Sequence, residues 1–123
     1  VEVFVMMPLE TVKQNRSLHN PPHLAWMMDQ LKEANVDGIN VDVWWGITEP
    51  EPTKYVFEPY KQLLHMAKER GWKVQLVASF HRCGGNMGDE CNIPLPSFVQ
   101  QARDVWYKDR HGGESQEYVS LFA

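Results

Sequence analysis

The sequence predicts an α/β fold in which parallel strands alternate with helices. Three apolar segments of strand length are each followed by a segment with helical character, and the strand–helix order repeats roughly every 38 residues. Right-handed units of this kind build either an open doubly wound sheet or an eight-stranded barrel. Three units cannot close a barrel, and they leave strand edges exposed. We therefore expect a small open α/β domain or the first part of a larger fold.

Length and composition indicate one ordinary globular domain. The chain has 123 residues, of which 43% are hydrophobic and 23% charged, and its formal net charge is −4. It has no basic cluster and no apolar run near the roughly 20 residues that span a bilayer. We therefore expect a soluble protein that binds neither nucleic acid nor membrane. No signal peptide is visible and the first residue is not Met, as in mature proteins and fragments alike, so compartment and oligomeric state stay undetermined.

The first predicted unit is a strand at residues 1–7 followed by a helix. Side chains at alternate positions of this segment are apolar, as in a short, largely buried strand, and Pro8 ends it. The helix starts at Pro21 and Pro22 and ends near residues 37–38. Its apolar residues recur at helical spacing and lie on one face. They are Leu24, Met27, Met28, Leu31 and Ala34.

The second predicted unit begins with a strand at residues 39–45. This strand is apolar on both faces except at Asn40 and Asp42, as expected for a parallel strand covered by helices. The helix that follows ends before Gly71. Its apolar stripe consists of Tyr60, Leu63, Leu64 and Ala67.

The third predicted unit begins with a strand at residues 74–80. A loop with three glycines follows at residues 81–90. A shorter helix is expected near residues 96–97, and residues 118–122 are a candidate strand.

Polar residues that could carry chemistry lie at the carboxyl ends of the strands, where barrels and open sheets place their ligand sites. Asp42 shares a strand face with Asn40 and Trp44. A carboxylate inside an apolar strand must be hydrogen-bonded, paired or exposed to a cavity. A structural hydrogen bond is one interpretation. Trp44 and Trp45 favour a ligand site instead, since flat aromatic rings and carboxylates match the apolar face and the hydroxyls of a sugar.

The histidine after the third strand and the glycine-rich loop form a second candidate site. His81 stands where a ligand-facing side chain is expected, although a structural role also fits it. The loop lacks the glycine spacing of phosphate-binding motifs. It is compatible with an ordinary surface turn, or with a mobile lid that brings Asp89 to a bound ligand. The residues of the predicted lid are Gly84, Gly85, Asn86 and Gly88.

Metal sites receive little support. His19 and His23 have helical ligand spacing, but two prolines lie between them. His81, Cys83 and Cys91 could supply three ligands, with no obvious fourth. Two cysteines are too few for a disulfide framework and slightly favour a reducing compartment. We expect no metal and no cofactor.

Other carboxylates and nucleophiles add little. The chain has no serine or cysteine nucleophile motif. Asp42 and Asp89 could in principle form the carboxylate pair of a glycosidase, but nothing in the sequence marks either as the protonated member. Glu49, Glu51 and Glu58 are expected to lie in a solvated loop.

These segments together resemble the β-amylases, which are inverting, exo-acting hydrolases of α-1,4-glucans. HRCGGNMGD at residues 81–89 matches the family signature H-x-C-G-G-N-V-G-D, with Met87 where the family has Val. A second match is VDVWWG at residues 41–46. Shorter matches are VMMPL at residues 5–9 and NIPLP at residues 92–96. The resemblance covers nearly the whole chain.

The resemblance implies a partial (β/α)8 TIM barrel. Residues 1–123 would be the amino-terminal part of a single catalytic domain and would contain the first three β-α units only. The implied activity is release of maltose from the non-reducing ends of starch-type glucans with inversion. Asp42, His81 and Asp89 match the family's residues that hold the terminal glucose, and Asp89 lies on the loop that closes over it.

The resemblance also sets a limit. The family's general acid and general base are two glutamates on later strands, and no segment here resembles the sequences around them. No catalytic residue is therefore assigned in this chain, which is predicted to be inactive alone.

Two other hypotheses stay open. A non-catalytic glucan-binding or sensing protein derived from the same barrel would keep the three binding residues. An independent small α/β domain with no role in glucan binding would unfold cooperatively by itself, whereas open strand edges favour aggregation.

Overall fold

The computed structural model describes residues 1–85 and 87–120. The chain divides into two compact units, here called the sheet unit and the loop unit. The sheet unit consists of Val1–Val43 and Phe57–Val77, and the loop unit of Trp44–Val56 and Ala78–Ala123.

A three-stranded sheet confirms the predicted α/β class. Its strands are β1 (Phe4–Met6), β2 (Gly38–Trp44) and β3 (Lys73–Ser79), in the order β1-β2-β3. β1 and β2 are parallel, with Phe4 opposite Gly38. β2 is the central strand and begins and ends on buried residues. The polar residues of β2 therefore sit in the middle of the sheet.

Helix α1 (Pro21–Glu33) begins where the two prolines predict it. The side chain of Asn20 accepts a backbone N–H of the first turn, and the prolines occupy positions whose N–H groups have no partner within the helix. Leu24 and Met28 of the predicted stripe are buried. The helix ends about a turn earlier than predicted because Asn35 adopts a left-handed φ of 59°.

Helix α3 (Glu58–Glu69) follows the predicted pattern as well. Gly71 adopts a φ of 67° just after the helix, as expected for a C-terminal glycine. The Arg70 side chain also reaches α1, where its Nε donates to Asp29 Oδ1 at 2.9 Å. The buried members of the predicted stripe are Tyr60, Leu63 and Ala67.

The first strand is shorter and less buried than predicted. β1 has three residues, and Val3 and Met6 are 53% and 47% exposed. Met7, directly after the strand, is buried. β1 is an edge strand, so one of its sides has no neighbouring strand in this sheet.

The loop unit holds short elements. They are α2 (Trp45–Thr48), α4 (Ser97–Gln100), β4 (Trp106–Lys108) and β5 (Glu114–Val119). β4 and β5 form an antiparallel hairpin. α4 confirms the helix predicted near residues 96–97, and β5 contains the start of the predicted strand at residues 118–122. The end of that predicted strand, residues 121–122, lies outside the described residues.

Within the described residues, no helix is long and apolar enough to cross a membrane. The longest, α1, has 13 residues.

Candidate functional site

Asp42 lies near the carboxyl end of β2, as predicted. It and Asn40 occupy the same face of the strand and are half-buried, whereas Val41 between them is buried. One side-chain oxygen of each of these two polar residues is shielded from solvent. The central strand thus presents a narrow polar face in which a carboxylate and an amide are two positions apart.

Trp44 does not present a flat ring to solvent, contrary to the expectation from the sequence. It is only 2% exposed and belongs to the core of the loop unit. Its indole packs edge-on against the imidazole of His81, with ring centroids 5.3 Å apart and an interplanar angle of 72°. Its apolar surface is therefore used inside the protein, where the indole contacts His81.

His81 lies two residues beyond the end of β3 and is half-buried. Besides the edge of Trp44, its imidazole contacts the ring of Tyr118, with centroids 5.5 Å apart and planes inclined by 25°. The geometry is that of a stacked aromatic pair. The imidazole therefore lies just beyond a strand, as the sequence predicts, and has two aromatic neighbours.

Cys83 and Cys91 form a disulfide, a pairing that the sequence did not predict. The slight preference for a reducing compartment stays a prediction. Cys83 N donates to Ile93 O at 2.9 Å and Ile93 N donates back to Cys83 O at 3.1 Å. This pairing brings the cysteine Cα atoms to 5.7 Å, within the range for a disulfide. The separation of eight residues gave no sign of the pairing, because the pairing depends on the bridge between Cys83 and Ile93. Neither cysteine is then available as a thiolate ligand.

The predicted lid residues occupy the loop that this disulfide closes. Gly84 and Gly88 both have a φ of 96°, a conformation that favours glycine. A Cβ on Gly84 would lie 2.0 Å from Cys91 O, and a Cβ on Gly85 would lie 2.7 Å from a carboxylate oxygen of Glu117. Glycine is therefore favoured at positions 84 and 88 by the backbone conformation, and at position 84 by the close backbone contact as well. A closing motion of the loop stays a prediction.

The remaining lid and site residues are placed as follows. Asp89 is half-buried near the end of the loop and lies in the loop unit with His81. Asp42 belongs to the sheet unit. Asn86 lies outside the described residues.

Glu49, expected in a solvated loop, also accepts a hydrogen bond from the side chain of Trp45, four residues before it. The indole Nε1 of Trp45 donates to Glu49 Oε2 at 2.7 Å, and the backbone N–H of Thr53 donates to Oε1 at 2.9 Å. These donors hold the pKa of Glu49 below its ordinary value. The Trp45 ring also makes edge contacts with Phe80 and Phe98. The pattern Trp-x-x-x-Glu, with partners four residues apart, was the available signal in the sequence.

Among the described residues, no group of three or more His, Cys, Asp or Glu side chains is assembled as a metal site. The chemistry that the described side chains offer is hydrogen bonding from carboxylates and an imidazole beside aromatic rings.

Comparison with known proteins identifies the class of this protein as a glycoside hydrolase. The sequence matches glycosyl hydrolase family 14 over residues 4–123, and the chain belongs to this family. The relatives that it matches are named β-amylases, which confirms the resemblance derived from the sequence motifs.

Two curated relatives and one solved structure illustrate the similarity. Beta-amylase 1, chloroplastic, of Oryza sativa subsp. japonica is 50% identical over 98% of this chain and 24% of its own length. Beta-amylase of Vigna unguiculata is 43% identical over 98% of this chain and 25% of its own length. The crystal structure of the catalytic domain of β-amylase from Paenibacillus polymyxa has a TM-score of 0.80 and 33% identity, covering 97% of this chain and 28% of that one. The chain thus spans about a quarter of the length of the curated relatives it matches.

Proposed function

We propose that this protein hydrolyses α-1,4-glucosidic linkages of starch-type polysaccharides and releases maltose from non-reducing ends with inversion. Residues 1–123 contribute the substrate-binding part of that activity. The observation that carries the proposal is the match to glycosyl hydrolase family 14 over residues 4–123, together with β-amylase relatives at up to 50% identity. The partners of the protein are then an α-1,4-glucan and maltose.

Within residues 1–123, the proposed contacts to the terminal glucose come from Asp42, His81 and Asp89. Two carboxylates accept hydrogen bonds from sugar hydroxyls, and the imidazole donates or accepts one. The half-burial of all three supports this role, because a partly desolvated polar group binds a hydroxyl more strongly than an exposed one does. The glycine-rich loop that carries Asp89 is proposed to close over the bound sugar.

We also propose that residues 1–123 form the amino-terminal part of one (β/α)8 barrel domain. β3 lies at an edge of the described sheet. Two of its apolar side chains, Leu76 and Val77, are 51% and 40% exposed. A barrel strand has neighbours on both sides and is covered on its outer face by helices. The exposed apolar edge of β3 supports continuation of the sheet into further strands of the same protein.

The chemical step requires groups beyond those proposed for binding. An inverting glycosidase uses one carboxylic acid to protonate the leaving oxygen and one carboxylate to activate water. Both are proposed to lie outside residues 1–123, so that this segment alone releases no maltose. The loss of each acid–base group lowers the rate by roughly 10²–10⁴-fold, which puts activity of the segment below detection.

The proposal is tested with maltoheptaose and the full-length protein that contains residues 1–123. ¹H NMR during the first minutes should show maltose released as the β-anomer, since inversion at an α-linkage gives that product. Asp42→Asn should reduce kcat/KM by roughly 10- to 100-fold, because a charged hydrogen-bond acceptor is lost.

Asp104→Asn is the matched control. Its side chain is 86% exposed and lies 3.6 Å from Lys108, so the change should leave kcat/KM within twofold of the wild type. Absence of maltose with the wild type, or initial release of the α-anomer, would refute the proposed function.

A further inference from the structure

The two aromatic side chains that contact His81 differ in how deeply they are buried. Trp44 touches the imidazole from within the core at 2% exposure, whereas Tyr118 stacks on it while remaining 45% exposed. Losing a half-exposed tyrosine costs little packing compared with losing a buried tryptophan. Within residues 1–123, Tyr118 therefore contacts His81 from outside the buried core.

The backbone of β5 brings Tyr118 to His81. Residues His81 and Tyr118 form an antiparallel bridge, and Arg82 N donates to Glu117 O at 3.0 Å. The hairpin thus runs alongside His81 and Arg82, the second and third residues after β3. Glu117 on the same strand approaches Gly85, where an added Cβ would meet its carboxylate at 2.7 Å. β5 consequently contacts both the histidine and the base of the glycine-rich loop.

We propose that Tyr118 is a positioning residue that sets the plane of the His81 imidazole for binding the terminal glucose. The inference rests on the proposed function, because it assigns to His81 a hydrogen bond to substrate. With the edge of Trp44 on one side and the ring of Tyr118 stacked at 25°, rotation of the imidazole about χ2 meets an aromatic ring. The ring of Tyr118 carries the effect and its hydroxyl is not required.

Tyr118→Leu in the full-length protein tests the proposal through steady-state maltose release. Losing an aromatic stacking partner should raise KM by about three- to tenfold and leave kcat within twofold. Tyr118→Phe keeps the ring and should restore the wild-type KM. Tyr107→Leu is the matched control, since Tyr107 is 52% exposed on β4 of the same hairpin, and it should leave KM unchanged.

An NMR measurement reports the stacking independently of activity. The ring protons of His81 should be shifted upfield by the ring of Tyr118, and this shift should disappear in Tyr118→Leu and persist in Tyr118→Phe. A role limited to folding would lower the melting temperature and the active fraction without raising KM.

The outcomes separate the two claims. A wild type that neither binds nor hydrolyses glucans overturns the proposed function, and with it the role given to Tyr118. An active wild type with an unchanged KM in Tyr118→Leu overturns the positioning role alone. A raised KM that Tyr118→Phe fails to restore also overturns it, because the hydroxyl would then be the group that acts.

Discussion

The sheet unit and the loop unit are held together in different ways. The sheet unit has helices of 13 and 12 residues and most of a three-stranded sheet, and its helices bury apolar side chains at regular intervals. The described part of the loop unit has two helices of four residues each, a disulfide and a set of aromatic contacts. The first unit depends on many small contributions, and the second on a few specific contacts. That difference predicts which substitutions each unit tolerates.

The largest effect is expected for a core substitution in the sheet unit. Ile39 on β2 is 0% exposed, and Ile39→Ala should lower the free energy of unfolding by about 2–5 kcal/mol. Urea unfolding followed by far-UV circular dichroism measures this loss. Leu76→Ala, at a 51% exposed position of β3, is the control and should change stability by less than about 0.5 kcal/mol in the 123-residue chain. Equal effects at both positions would contradict the burial argument.

The loop unit should be sensitive to single backbone positions. Gly84 and Gly88 share a φ of 96°, but only the Cβ of an alanine at position 84 would collide, at 2.0 Å from Cys91 O. Gly88→Ala should cost about 1–2 kcal/mol from the left-handed conformation alone. Gly84→Ala should cost about 2–5 kcal/mol, because the collision adds to that strain. Thermal unfolding of both variants compares them directly, and a Gly88→Ala effect as large as that of Gly84→Ala would refute the collision.

Removing the disulfide of the loop unit should cause an intermediate loss of stability. In the chain-entropy description, a link across eight residues between Cys83 and Cys91 contributes about 2–3 kcal/mol. The double variant Cys83→Ser with Cys91→Ser should lose this amount, measured by thermal unfolding without reductant. Addition of dithiothreitol should lower the stability of the wild type and leave the double variant unchanged. A wild type whose melting temperature does not respond to dithiothreitol would show that the link is not formed in solution.

Sequence patterns predicted the sheet unit well, since its elements depend on neighbours three, four or two residues apart. Local sequence alone predicted the start of α1 at Pro21, the glycine after α3 and the position of Asp42 on β2. The strand pattern likewise placed His81 and the glycine-rich loop after the third strand.

The missed features arise from contacts that local periodicity does not encode. The Cys83–Cys91 link needs the antiparallel bridge of Cys83 to Ile93, and the stacking of Tyr118 on His81 needs a hairpin 37 residues further along the chain. Trp44 was expected on a ligand surface because it shares a strand face with Asp42 and a flat aromatic ring suits a sugar, yet it is buried in the loop unit. Pattern reasoning therefore placed the candidate residues on their elements but missed the groups that contact them, and a binding role for the candidates stays a prediction.

The smallest expected effect concerns the pH dependence of the loop unit. The hydrogen bonds from Trp45 and Thr53 lower the pKa of Glu49 below the ordinary 4.5, so the carboxylate is favoured in the folded state. Its contribution to stability is present above pH 4.5 and disappears as the pH falls through the lower folded-state pKa. The ¹⁵N–¹H signal of the Trp45 indole should move over that lower range in the wild type. In Glu49→Gln the signal should stay constant there, because the amide oxygen accepts the bond without titrating. An indole signal that moves in both proteins would assign the pH response to another group, and the contact between Trp45 and Glu49 would then not account for it.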